Sequence, residues 1–242
     1  MEAIILAGGK ATRMGDAVRG RPKALVPIAG EPLAKYQVAQ FVRAGVERII
    51  VSCALGQASL FEQELSGLGA EIVAVPEPEP LGRGGGLRYA AAERKEGGPV
   101  YASNGDELHD VDLEAILDAH RVHRAAATIA VAPLVSQFGV VDLEGDRVAG
   151  FREAPRLPYW VNSGFYVLDE EALERLPERG DHEQSTFPEL AREGKLFAFR
   201  HEGLWITVNT PKDLQRAEQH YAAHPELRPR LGATVAGGDR TP

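Results

Sequence analysis

The sequence predicts an α/β fold in which a mostly parallel, mixed sheet is flanked by helices. Three observations predict it. The run Ile4-Ile5-Leu6 is short and continuously apolar, as suits a strand covered on both faces, and it passes straight into Ala7-Gly8-Gly9. Strand-like and helix-like stretches then alternate through the first hundred residues, the order of parallel strands joined by crossover helices. The 242 residues, 44% hydrophobic and 26% charged, are ordinary for a soluble globular chain of one large or two small domains.

Each element has its own signal. Pro32 suits a first helical turn and Gly45 a helix stop, so a helix is expected over about 33–44. Residues 46–53 read as the second strand, 57–65 as a helix and 70–75 as the third strand. A glycine-rich turn at 82–86 opens a helix reaching residue 94, and 100–103 is strand-like. Leu113, Ile116, Leu117 and His120 share one face of a helix over 112–122. Residues 128–132 form a strand, and 138–142 with 147–151 form a hairpin turning at Glu144-Gly145-Asp146. A strand over 161–168, short helices from 170 and 187, a strand over 196–200 and a helix over 212–222 complete the order. Leu214, Ala217 and Tyr221 give that last helix its apolar face. No linker or repeat divides residues 1–222, which are expected to form one domain. Residues 223–242 lack periodicity and read as a loosely held tail.

The chemistry concentrates in the first loop. Leu6, Ala7, Gly8 and Gly9 place a turn without Cβ obstruction after a buried strand, and successive free N–H groups in such a turn favour phosphates. Arg13 and Lys23 add a planar fork and a point charge to the same loop. Neither a P-loop nor a dinucleotide Gly-x-Gly-x-x-Gly fingerprint is present at this position. A second anion-type turn is Glu79-Pro80-Leu81-Gly82, stiffened by prolines and opening a helix. Asn104-Gly105-Asp106 stands at a strand end, where ligands bind in open α/β sheets, and a carboxylate there suits Mg²⁺. A plain turn explains the same three residues.

Ala7-Gly8-Gly9-Lys10-Ala11-Thr12-Arg13-Met14, followed by Pro22-Lys23, resembles the opening motif of the sugar-1-phosphate nucleotidylyltransferases. The resemblance covers nearly all of residues 1–222 and implies a Rossmann-like fold of the nucleotide-diphospho-sugar transferase type. It implies that Arg13 and Lys23 act on the phosphates of a nucleoside triphosphate, and that Leu6 to Gly9 with Glu79, Pro80 and Gly82 hold the nucleotide. It implies Asp106 as the principal Mg²⁺ ligand. Gly139, Glu153 and Asn162 are expected at a sugar-1-phosphate acceptor. The wording looks nearest to guanylyltransferases acting on mannose- or heptose-type phosphates, so GTP is the favoured donor.

Four positions depart from the family pattern. Arg83 stands where Thr is usual, and Ala154 where a Lys holds the sugar's phosphate, with Arg152 and Arg156 as neighbouring substitutes. Thr207 takes the place of the second acidic metal ligand, and Asn209 that of a Gly. Molybdopterin cytidylyltransferases use similar wording around Asn209, so its amide oxygen is the candidate second Mg²⁺ ligand, with a turn or helix cap as the alternative. The missing charges also motivate two other readings: transfer to a non-sugar acceptor, and a non-catalytic regulatory subunit.

A net charge of −8 argues against a non-specific nucleic-acid binder. The lone cysteine, Cys53, ends an apolar run and reads as a core residue. No stretch approaches the ~18 apolar residues of a membrane helix, and Met1 leads directly into a strand without a charged leader. A cytoplasmic enzyme is expected, with its oligomeric state open and a dimer the candidate.

Overall fold

The computed structural model describes residues 1–9 and 20–229, so Arg13 and the end of the expected tail lie outside the described residues. The described strands are β1 (Glu2–Leu6), β2 (Pro27–Ile28), β3 (Glu31–Pro32), β4 (Arg48–Ala54), β5 (Glu71–Glu77), β6 (Val100–Asn104), β7 (Glu107–His109), β8 (Ala127–Val135), β9 (Val140–Glu144), β10 (Arg147–Arg152), β11 (Arg156–Leu168), β12 (Leu196–Arg200) and β13 (Trp205–Thr207). The helices are α1 (Leu33–Arg43), α2 (Ala58–Leu65), α3 (Gly82–Ala91), α4 (Leu113–His123), α5 (Glu170–Glu174), α6 (Thr186–Arg192) and α7 (Pro211–Ala223).

Seven strands form the central sheet in the order β12-β8-β11-β6-β1-β4-β5. β1 runs parallel to β4 and β6, β4 to β5, and β8 to β12; β11 is antiparallel to both its neighbours. The sheet is therefore mixed and mostly parallel, as expected. Side chains alternate across it and separate two apolar layers. Ala3, Ile5, Ile49, Val51, Tyr101 and Phe165 pack with Phe41, Phe61 and Ile116 of α1, α2 and α4. Ile4, Ile50, Val100, Ala102, Tyr166 and Leu168 pack with Leu87, Ala172 and Leu190 of α3, α5 and α6. Cys53 lies in the first layer, where burial pushes its thiol up to about 11, so it behaves as the apolar residue expected.

A third cluster fastens α7 to α1 through Val26, Leu33, Tyr36, Leu108, Ile206, Ala217 and Tyr221. A short turn at Pro225–Leu227 packs Leu227 onto this cluster, and Arg228 Nε donates to the Tyr221 carbonyl at 2.8 Å. Residues 225–228 are docked because one apolar and one cationic side chain find partners there, a pairing too local for periodicity to reveal. β9 and β10 form a separate two-stranded ribbon beyond the main sheet.

Candidate active site

The parallel strands β1, β4, β5 and β6 all end on one cleft of about 720 Å³, lined by Leu6, Ala54, Glu77 and Asn104 at their carboxyl ends. Ala7, Gly8, Gly9, Glu79, Pro80, Gly82 and Asp106 line the same cleft, so the described residues expected to bind nucleotide are brought together. Two backbone bonds pin the loops: Ala7 N–H donates to the Ser52 carbonyl at 2.7 Å and Gly105 N–H to the Leu6 carbonyl at 2.8 Å. A Cβ at Gly105 would stand 2.5 Å from that carbonyl, so only glycine lets the Asp106 turn cross the end of β1. Glu77, which the sequence reading did not single out, is a largely buried part of the cleft lining. Its carboxylate accepts from Ser52 Oγ at 2.7 Å and from Leu81 N–H at 3.0 Å, tying β5 to the start of α3.

Lys23 joins the expected metal ligands. It opens a 3-10 turn behind Pro22, and its Nζ donates to Asp106 Oδ2 and to Asn209 Oδ1, both at 2.5 Å. Side-chain exposure is 13% for Lys23 and 27% for Asp106, so this junction is partly withdrawn from water and its charges interact strongly. Asn209 is free for the site because Thr210 caps α7: Thr210 Oγ1 accepts from Asp213 N–H, while the Asp213 carboxylate accepts from Thr210 N–H at 2.8 Å and Asn209 N–H at 3.1 Å. Among the described residues no cluster of three His, Cys, Asp or Glu side chains is arranged to hold a metal. Asp106 and Asn209 carry the hard oxygens that suit Mg²⁺, which takes one or two protein ligands and completes its shell with phosphate and water. Both oxygens accept from Lys23 Nζ, so a metal held there displaces that ammonium.

A second cavity of about 490 Å³ adjoins the first and shares Arg83, Asn104, Glu107 and Thr207 with it. Its other walls include Asn162, Glu183, Trp205 and Phe187. Amides, carboxylates and an aromatic edge suit a polyhydroxylated ligand. Asn162 donates to Glu183 Oε1 at 2.8 Å and to the Tyr166 hydroxyl at 2.9 Å, and accepts from Gly164 N–H at 2.9 Å. Gly164 has φ +76°, and a Cβ there would stand 2.6 Å from the Asn104 amide, so the strand can pass only as glycine. Gly139 and Glu153 are also brought together, the Glu153 Oε2 standing 3.1 Å from where a Gly139 Cβ would be. They lie at the base of the β9–β10 ribbon and do not line either cavity, since the ribbon pairs only with itself.

Glu107 is the main residue that sequence reasoning missed. It pairs in register with Thr207 across β7 and β13, and one carboxylate oxygen accepts from Thr207 Oγ1 at 2.7 Å and Trp205 Nε1 at 2.8 Å. Burial pushes its carboxyl up to about 8, with the neighbouring Asp106 charge adding to the rise. The chain thus carries a carboxyl beside position 207, on the opposite strand.

The glycine-rich turn serves the fold more than a ligand. Gly84 and Gly85 donate their N–H groups to the Gly180 carbonyl at 2.8 and 3.2 Å, and Arg83 N–H donates to Asp181 Oδ1 at 3.0 Å. A Cβ at Gly84 would meet His182 N at 2.7 Å, and one at Gly85 the Glu178 carbonyl at 2.6 Å. The segment between α5 and α6 therefore sits on the first turn of α3 and takes the N–H groups expected to face a ligand. The side chains of Glu79 and Arg83 remain at the cleft, Glu79 paired with Arg179 at 2.6 Å.

The family model described as Nucleotidyl transferase matches residues 2–224. The chain belongs to the nucleotidyl transferase family. Mannose-1-phosphate guanylyltransferase from Mycobacterium tuberculosis is 32% identical, over 96% of this chain and 68% of its own length. The mannose-1-phosphate guanylyltransferase catalytic subunit beta from Danio rerio is 33% identical, over 88% of this chain and 62% of its own. The family member described here thus spans about two thirds of the length of those relatives. The crystal structure of HddC from Yersinia pseudotuberculosis superposes with a TM-score of 0.71 at 24% identity, covering 91% of this chain and 99% of that one, and shares the fold.

Proposed function

We propose that this chain transfers a nucleotidyl group from a nucleoside triphosphate, with GTP favoured, to a sugar-1-phosphate, releasing the nucleoside-diphosphate sugar and pyrophosphate in a Mg²⁺-dependent reaction. The observation that carries this reading is the meeting of two unlike cavities. One follows the ends of the parallel strands, beside the glycine loop and Lys23; the other has a carbohydrate-type lining; and they share Arg83, Asn104, Glu107 and Thr207. Substrates bound in each would meet at that seam. The choice of GTP and a mannose-type acceptor draws on relatives at 32–33% identity that are named mannose-1-phosphate guanylyltransferases.

In this reading an acceptor phosphate oxygen forms the new bond to the α-phosphorus while the bond to the pyrophosphate oxygen breaks in line. The acceptor monoester is its own nucleophile, so the protein supplies position and charge. The Gly8-Gly9 turn and Arg13 hold the departing phosphates. Lys23 brings a positive charge to the α-phosphate, exchanging its contacts to Asp106 and Asn209 for the phosphate as those oxygens turn to the metal. Asp106 and Asn209 would hold Mg²⁺, which supplies charge neutralisation on the phosphates when bound. Asn162 and Glu183 present an amide and a carboxylate to the hydroxyls of the acceptor.

Initial rates of pyrophosphate release with four triphosphates and a panel of sugar-1-phosphates test each part. GTP with mannose-1-phosphate is expected to be the fastest pair, and chelation of divalent cations is expected to abolish it. A preference for another triphosphate overturns the base assignment, and undiminished rates in chelator overturn the metal. Tight triphosphate binding without pyrophosphate release from any pair overturns catalysis and favours a regulatory subunit.

A further inference from the structure

Arg83 is, among the described residues, the one cation lining both the nucleotide cleft and the acceptor cavity. Lys23 lines the cleft alone. The acceptor cavity otherwise presents the Glu183 and Glu107 carboxyls, amides, a hydroxyl and aromatic edges, with no second cation among the described lining residues to meet a doubly charged phosphate monoester. Yet that phosphate must lie at the seam, because its oxygen has to reach a triphosphate in the adjoining cleft. The other arginines considered for it are engaged elsewhere. Arg152 pairs with Asp142 at 2.9 Å on the ribbon, and Arg156 pairs with Glu202 at 2.9 Å while its guanidinium lies 5.2 Å from the centre of the Trp160 ring. Neither lines either cavity.

The placement of Arg83 is built. Gly82, with φ +80°, brings the chain against Gly180, and the Arg83 N–H bond to Asp181 fixes the backbone at the first turn of α3. The side chain is 43% exposed, with Nε 3.3 Å from Asp181 Oδ1, Nη2 3.2 Å from Asp181 Oδ2 and Nη1 2.6 Å from Glu183 Oε2. Asp181 and Glu183 are 29% and 26% exposed and hold the arginine in a bidentate, three-charge network, and a guanidinium fork matches two phosphate oxygens as well as two carboxylate oxygens. Asp181 and Glu183 therefore hold the fork at the seam, and a phosphate there competes with them for it.

Resting on the nucleotidylyl-transfer reading, we propose that Arg83 binds the acceptor's phosphate, exchanging its carboxylate partners for it, and so selects phosphorylated over free sugars. The side chain supplies the charge that Ala154 does not. Arg83 is then a binding and specificity residue, and the 177–183 segment is its holder.

Calorimetric titration of mannose-1-phosphate and of mannose, each in the presence of Mg²⁺ and a non-hydrolysable GTP analogue, tests this. Wild-type protein is expected to prefer the phosphorylated sugar. Arg83→Gln is expected to weaken mannose-1-phosphate about 30- to 100-fold while changing the GTP analogue less than about threefold, with Arg83→Lys recovering part of the loss. Asp181→Asn, which loosens the holder, is expected to leave mannose-1-phosphate binding equal or tighter. The proposal is overturned if wild-type protein binds both sugars alike, or if Arg83→Gln leaves mannose-1-phosphate within about threefold or weakens the GTP analogue as much. It is also overturned if Asp181→Asn reproduces the Arg83→Gln loss, for then the arginine acts as a tether. Pyrophosphate release by the wild type is read separately: its absence with every pair defeats the catalytic reading, while the binding titrations still decide Arg83.

Discussion

Lys23 stands between the two oxygens that would hold a metal, at 2.5 Å from each, so its charge and theirs are arranged together. Removing one preorganised charge of this kind costs about 3–4 kcal/mol of barrier. Lys23→Ala and Asp106→Ala are each expected to lower turnover by about 10²–10³ while leaving the unfolding midpoint within a few degrees. Steady-state rates beside thermal melts check this, and a variant with near wild-type turnover contradicts it. Glu107 has a different weight. Its carboxyl is the acceptor for both Trp205 and Thr207, so Glu107→Leu is expected to destabilise the fold by about 2–3 kcal/mol and Glu107→Gln by less, measured by urea unfolding. Asp106, Lys23 and Asn209 were singled out from short motifs and the resemblance those motifs carry, and the structure brings their side chains together. Glu107 was not singled out, because its significance comes from its cross-strand pairing with Thr207, a hundred residues away.

The first turn of α3 is held by a segment from far along the chain, and its glycines are a packing requirement. Gly84→Ala would put a methyl 2.7 Å from His182 N, and neither that backbone nor Pro177 can retreat freely. It is expected to destabilise the protein by about 1–3 kcal/mol, read as a lower urea midpoint. An unchanged midpoint would mean that the 177–182 segment does not sit on α3 as described. The sequence announced this turn as an anion site because a glycine-rich helix start has that general property. It could not announce that Gly180 and Asp181 take those N–H groups. The short strands β2, β3, β7 and β13 were invisible for a simpler reason: two or three residues carry no period. The longer elements were legible in outline from apolar runs, periodicity and glycine or proline stops. β11, however, starts at Arg156, ahead of the strand expected over 161–168; its first half is largely exposed, so no pattern of core-facing positions marks it.

Taken whole, the molecule is a two-faced sheet whose parallel strand ends open onto adjoining cavities, and its stability responds to acid in a defined way. His182 and His109 are buried, and burial lowers them to about 4 and about 3; the Arg83 charge adds to the fall at His182, with Asp181 opposing, and His201 adds at His109. Both therefore bind protons more weakly folded than unfolded. Stability is fully present above the unfolded value of ~6.5 and is lost as pH falls toward 4, by up to roughly 3 kcal/mol for each histidine. Glu107, with its carboxyl pushed up to about 8, binds protons more tightly folded and offsets roughly one histidine over the same range. Urea midpoints are therefore expected to drop modestly between pH 7 and 4.5, with a still smaller drop or a rise in His182→Leu and a steeper drop in Glu107→Gln; equal profiles for the wild type and both variants contradict the assignment. The central claim concerns the seam between the cavities, and the fate of the acceptor's phosphate tests it most directly. With ¹⁸O-labelled mannose-1-phosphate and GTP, mass spectrometry is expected to find the label retained in the nucleoside-diphosphate sugar and absent from pyrophosphate, with product falling about 10²–10³ in Asp106→Ala. Label appearing in orthophosphate or pyrophosphate, or a sugar nucleotide formed equally well without Asp106, would contradict the account.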